Sequence, residues 1–144
     1  MFHFRTLDVY RCAVELLPKA YSIAESLDGE MASQLRRAAL SINLNIAEGT
    51  GRFDRDQRMF LVTARGSALE CAAVLDAMYS LGVNAPQAAE ADSLLVRIVS
   101  MLTKMIGSSL TLTPTSGSTQ PNCQLSRPIA GLLQRGVDAG DLRG

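Results

Sequence analysis

Apolar residues in this chain recur every three to four positions in four successive runs, each closed by glycine, proline or asparagine. That spacing marks one face of an α-helix, at about 100° per residue, and no run alternates as a half-buried strand would. In the first run Val9, Cys12, Ala13, Leu16, Ala20, Ile23, Ala24 and Leu27 share a face. Thr6 is placed to cap its start, Asp8 suits its first turn, and Asp28-Gly29 ends it. Pro18 falls on the polar side with the pattern in phase around it, so it bends this helix without ending it. The second run extends from about Met31 to Glu48, with Leu35, Ala38, Ala39, Ile42 and Ile46 as its stripe and Gly49-Thr50-Gly51 as its stop. A third starts near Asp54, whose carboxylate and that of Asp56 suit the positive end of a helix dipole. Its stripe is Phe60, Ala64, Ser67, Cys71, Val74, Leu75, Met78 and Leu81, closed by Gly82. After a turn at Asn84-Ala85-Pro86, Pro86 opens a fourth helix with Ala91, Leu94, Ile98, Met101, Leu102 and Met105 inside.

Short connections force consecutive helices to lie antiparallel. The expected fold is therefore all-α, an antiparallel up-down-up-down four-helix bundle over residues 1–110. Hydrophobic residues make up 47% of the chain and charged residues 19%, enough for a real core. With no tryptophan, aliphatic side chains and alanine must do the packing. Residues 111–144 differ sharply: Thr111 to Gln124 is a Ser, Thr, Pro and Gly-rich stretch that cannot bury enough surface to fold alone. They are expected to form a flexible C-terminal tail, the alternative being a short docked helix around Ile129 to Leu133.

Lysine plus arginine equals aspartate plus glutamate, 14 against 14, so any nucleic-acid binding must come from a local patch and not from bulk charge. Cys12, Cys71 and Cys123 are odd in number, widely spaced and without metal-ligand spacing. Cys12 and Cys71 fall on core stripes and read as small hydrophobes. No apolar stretch approaches the roughly 18 residues of a membrane span, and no signal-peptide run follows Met1. A cytoplasmic protein is expected, with no membrane partner. Catalysis fails a simple inventory: the single histidine, His3, sits in the N-terminal arm. One terminal histidine cannot serve a Ser/His/Asp or Cys/His arrangement, nor the Glu-x-x-His pairs of a bundle metal site. The expectation is no enzyme, no metal, no cofactor and no small-molecule substrate.

The second run carries more than a core stripe. Beside the stripe lies a polar line, Gln34, Arg37, Ser41, Asn45 and Glu48, and beyond it a second apolar strip of Leu40, Leu44 and Ala47. A helix of a monomeric bundle needs one stripe. Either the core is broad, with Leu40 and Ala47 at its margin, or the strip packs against another subunit. Asn45, Glu48, Gly49 and Gly51 read as the residues that shape the turn, with ligand contact as the alternative. Arginines cluster as Arg36, Arg37, Arg52, Arg55, Arg58 and Arg65. They suit phosphate contacts, or else form a solvated face interleaved with Asp54 and Asp56.

Gln34-Leu35-Arg36-Arg37-Ala38-Ala39, Ser41-Ile42, Asn45-Ile46-Ala47-Glu48-Gly49 and Gly51-Arg52 together resemble the signature of the bacterial four-helix-bundle proteins encoded in 23S ribosomal RNA intervening sequences. Phe60-Leu61, Ala64-Arg65-Gly66-Ser67 and Leu69-Glu70 are similar to the third-helix motif of that family, and Leu7 to Ala13 to its opening pattern. The likeness covers roughly residues 4–110 and leaves the tail without a counterpart. Asn43-Leu44 departs from the small or proline-containing pair usual there, and Leu44 enlarges the extra apolar strip. The resemblance implies a bundle that assembles into a ring-like homopentamer. The accessory protein of diversity-generating retroelements is similar in fold, and there a pentameric barrel binds RNA and a reverse transcriptase. The function expected here is thus a homo-oligomeric scaffold, with structured RNA or an RNA-handling protein as a further partner.

Overall fold

The four apolar runs become four helices. The computed structural model describes residues 2–108 and places α1 at Asp8–Ala24, α2 at Gly29–Thr50, α3 at Asp54–Ser80 and α4 at Ala88–Ser108. A 3-10 turn, His3–Thr6, precedes them, and no strand occurs among the described residues. The tail expected at 111–144, with Cys123 and the alternative helix near Ile129, lies outside the described residues. Each helix packs on its neighbours in chain order and α4 returns against α1, while neither diagonal pair packs closely. With connections as short as 25–28, 51–53 and 81–87, this is the antiparallel four-helix bundle. No helix among the described residues is long and apolar enough to cross a membrane.

Val9, Cys12, Ala13, Leu16, Ala20, Ile23 and Ala24 of α1 are buried, as are all five expected residues of α2. Pro18 stands exposed inside an unbroken α1, since the polar side of the helix tolerates one missing hydrogen bond. Alanines fill much of the interior, among them Ala39, Ala64, Ala68 and Ala91, which lets the helices approach closely.

Five expectations need correction. Phe60 is only half-buried and Leu81 is 66% exposed, whereas Leu61 and Ala68 are buried. The core face of α3 centres on Leu61, Ala64 and Ala68, leaving Phe60 at its edge, and Leu81 lies past the last turn, where Gly82 takes a φ of 75°. Thr6 does not cap α1: its Oγ1 donates to the His3 carbonyl at 2.8 Å and closes the 3-10 turn, and Leu7 precedes α1 without a capping side chain. Asp28 does not end the first helix but caps the second, accepting from the Met31 N–H at 3.1 Å and satisfying a backbone donor that the start of a helix leaves open. Pro86 sits in the turn before α4, which starts at Ala88 once the Ala88 N–H has bonded to the carbonyl of buried Ala85.

Candidate interaction surface

The second apolar strip of α2 stays outside the core. Leu44 is 60% exposed and Leu40 is 40% exposed, with Ala47 half-buried. A broad core accounts for Ala47 but not for Leu44. Sequence reasoning overlooked a second apolar line, on α1: Tyr10, Val14, Leu17 and Tyr21 follow one another at helical spacing, Val14 and Tyr21 exposed, Tyr10 and Leu17 half-buried. Arg36 of α2 and Phe4 of the 3-10 turn each reach this line of α1. The Arg36 guanidinium lies 5.8 Å from the Tyr21 ring, and Phe4 meets Tyr10 edge-on with centroids 4.8 Å apart. Phe4 also shares an open hollow with Leu44, Ala47 and Phe60.

The polar line of α2 faces α3. Gln34, Arg37, Ser41 and Asn45 border a groove of about 320 Å³ together with Ser67 and Glu70. At its centre the Ser41 and Ser67 hydroxyls are hydrogen-bonded at 2.8 Å, and Asn45 Nδ2 donates to the Ser41 carbonyl at 2.8 Å and its Oγ at 3.0 Å. The Ser67 hydroxyl also approaches the Thr63 carbonyl at 3.1 Å. These groups satisfy one another and tie α2 to α3. No histidine adjoins them, and among the described residues no cluster of His, Cys, Asp and Glu could hold a metal ion.

The turn residues separate in role. Asn45 bonds back along α2 and does not reach the turn. Glu48 does, through an ion pair with Arg52 that raises the Arg52 pKa above its ordinary value, the hydrogen bond first and the carboxylate charge second. Gly49 is not a stop but a buried helical residue, because a Cβ there would stand 3.0 Å from Phe60 Cβ and 3.4 Å from the Gln57 carbonyl. Gly51 ends the helix.

The six arginines do not form one patch. Arg36 and Arg37 lie about 20 Å from the end of α2 at Thr50, taking 1.5 Å per residue, and Arg52 lies beyond that end. Arg52, Arg55 and Arg58 gather at the α2–α3 connection, and Arg65 is half-buried farther along α3. Arg55 and Arg58 are exposed and make no ion pair with the described residues.

Two further features escaped the sequence reading. Asn43 is buried, its Nδ2 donating to the Ala13 carbonyl at 3.1 Å and the Ala39 carbonyl at 3.2 Å, while its Oδ1 has no partner among the described residues. The Asn43-Leu44 departure noted above was its only signal. On α3, Met59, Val62 and Leu69 are exposed along a line through Gly66 and Ala73, directly opposite the core. The alternating spacing of three and four was legible, but it was eclipsed by the stronger inner stripe. Cys71, by contrast, is the inert core residue expected, its thiol pushed up to about 12 mainly by burial.

No curated protein matches the chain. The model of the 23S rRNA-intervening sequence proteins matches residues 5–104, which contain the whole α2–α3 groove and the apolar strip beside it. With more than half its length matched, the chain belongs to the 23S rRNA-intervening sequence protein family.

Proposed function

We propose that this protein is a non-catalytic scaffold that works as a homo-oligomer, pentameric as the family resemblance implies, in the cytoplasm. The observation that carries this reading is the apolar face of α1 and α2. Leu44 and Leu40 of α2 and Val14 and Tyr21 of α1 are large and exposed, with half-buried Tyr10 and Leu17 on the same line of α1. Scattered apolar residues are normal on a protein surface, but a contiguous patch marks an interface. A second copy of the chain supplies apolar surface to cover it. Native mass spectrometry at micromolar concentration tests the idea: pentamers, or another closed ring, are expected, and a monomer refutes it.

A second reading, an RNA-binding accessory module, is supported by the ion-pair-free Arg55 and Arg58 at the α2–α3 connection. Several copies of a weak site on one ring would gain avidity. Mobility shift of structured RNA at two salt concentrations tests it. Binding that weakens as salt rises is expected, and no binding at low salt excludes it.

A further inference from the structure

All four phenylalanines of this chain, Phe2, Phe4, Phe53 and Phe60, lie at one end of the bundle, where the 3-10 turn, the end of α2 and the start of α3 come together. Arginines are interleaved with them. The Arg5 guanidinium lies 5.4 Å from the Phe2 ring and 5.9 Å from the Phe4 ring, and Phe2 and Phe4 are stacked at 5.7 Å. Arg52 lies 5.8 Å from the Phe60 ring. Phe53 is 86% exposed between Arg52 and Arg55, and Phe2 is 64% exposed. Phe53 is the most exposed large apolar side chain among the described residues, and the core claims no part of it.

We propose that this end of the bundle binds unpaired nucleotides, with bases stacking on Phe53 and Phe2 and phosphates held by Arg5, Arg55 and Arg58. The proposal rests on the RNA-binding reading and gives it a ligand class. Bulk charge favours neither duplex nor single strand, because Glu48, Asp54 and Asp56 lie among these arginines and the net charge of the chain is zero, so the bases must discriminate. Paired bases hide their faces inside the helix. Single strands expose them, and stacking on an aromatic ring is favourable for every base and independent of net charge. Arginine planes beside the rings extend the stacking platform and reach the backbone.

The full chain should be titrated into fluorescein-labelled oligouridine and oligoadenosine of twelve nucleotides and into a twelve-base-pair RNA duplex, with anisotropy as the readout. The expected result is at least tenfold tighter binding of the single strands, and roughly tenfold weaker single-strand binding for Phe53→Ala or Phe2→Ala. Phe53→Tyr should restore it, and circular dichroism should show unchanged helicity in each variant. Arg55→Gln with Arg58→Gln should lower the slope of log affinity against log salt by about 0.7 per lost contact. Duplex bound as tightly as single strands, or Phe53→Ala and Phe2→Ala binding like the parent, overturns the stacking proposal and leaves the RNA reading standing. No binding of any RNA at low salt overturns both.

Discussion

Helices α3 and α4 lie side by side against one core, yet their outward faces differ. Outside, α4 presents Asp92, Ser93, Arg97, Ser100, Thr103 and Lys104, with Val96 as its one exposed large apolar side chain. The outward side of α3 instead carries Met59, Val62 and Leu69 on the line through Gly66. Their inner faces do the same work, burying Leu61, Cys71, Leu75 and Met78 from α3 and Leu94, Leu95, Ile98 and Leu102 from α4. The bundle therefore dictates the inner faces alone. The outer faces are free to differ, and α3, like α1 and α2, exposes several large apolar side chains where α4 exposes one.

The largest effect should be the one that treats both helices alike. Leu75→Ala and Ile98→Ala remove side chains that are 1% and 0% exposed, and each should lower stability by about 2–5 kcal/mol in urea denaturation. A negligible loss on either helix would mean that the two do not share a core. A glycine pair comes next. Gly49→Ala should cost about 1–3 kcal/mol, because its new methyl group meets Phe60 Cβ at 3.0 Å and helix backbone must give way. Gly66→Ala has open space around it and should stabilise the chain by about 1 kcal/mol through helix propensity. If it weakens an assembled form instead, the outer face of α3 is closely covered.

Charge on the outer faces sharpens the contrast further. Leu44→Asp should reduce self-association at least tenfold, about 1.4 kcal/mol, in analytical ultracentrifugation, whereas Val96→Asp on α4 should leave it unchanged. Equal responses at the two sites would remove the distinction between the faces. The smallest effect is expected from the exposed ion pair of Lys19 and Glu90, which joins α1 to α4. The hydrogen bond with Lys19 holds the Glu90 carboxyl below its usual value. Its contribution is therefore present above the ordinary glutamate pKa and is lost as pH falls through the depressed one. Lys19 is raised by the same hydrogen bond, so its share is lost as pH rises through its elevated value. Glu90→Gln should flatten both limbs slightly in thermal melts followed across pH, and unchanged limbs would show the pair to be without consequence.

Helix number, order and inner faces were legible because periodicity is local: a stripe at 3.6 residues per turn needs no knowledge of its partner. Leu35, Ile42, Ile46, Leu94, Ile98 and Leu102 could all be assigned to the core that way. The surplus apolar strip at Leu40, Leu44 and Ala47 was legible for the same reason, as an excess over what one stripe requires. Adjacent candidates were harder. Phe60 and Leu61 are both apolar, and which one turns inward depends on how α3 is rotated against α2, where Gly49 lets Phe60 Cβ close in.

The amino-acid order by itself thus determined a bundle of helices over the described residues, its inward stripes and one apolar strip beyond them. Tertiary structure alone decided which distant residues meet: Ser41 with Ser67, Asn43 with the Ala13 carbonyl, and Phe4 beside Phe60 and Leu44. The physical reason is range. Helical period and capping act over a few residues, whereas these pairings depend on the relative rotation and axial offset of whole helices, which only close packing of the assembled core specifies.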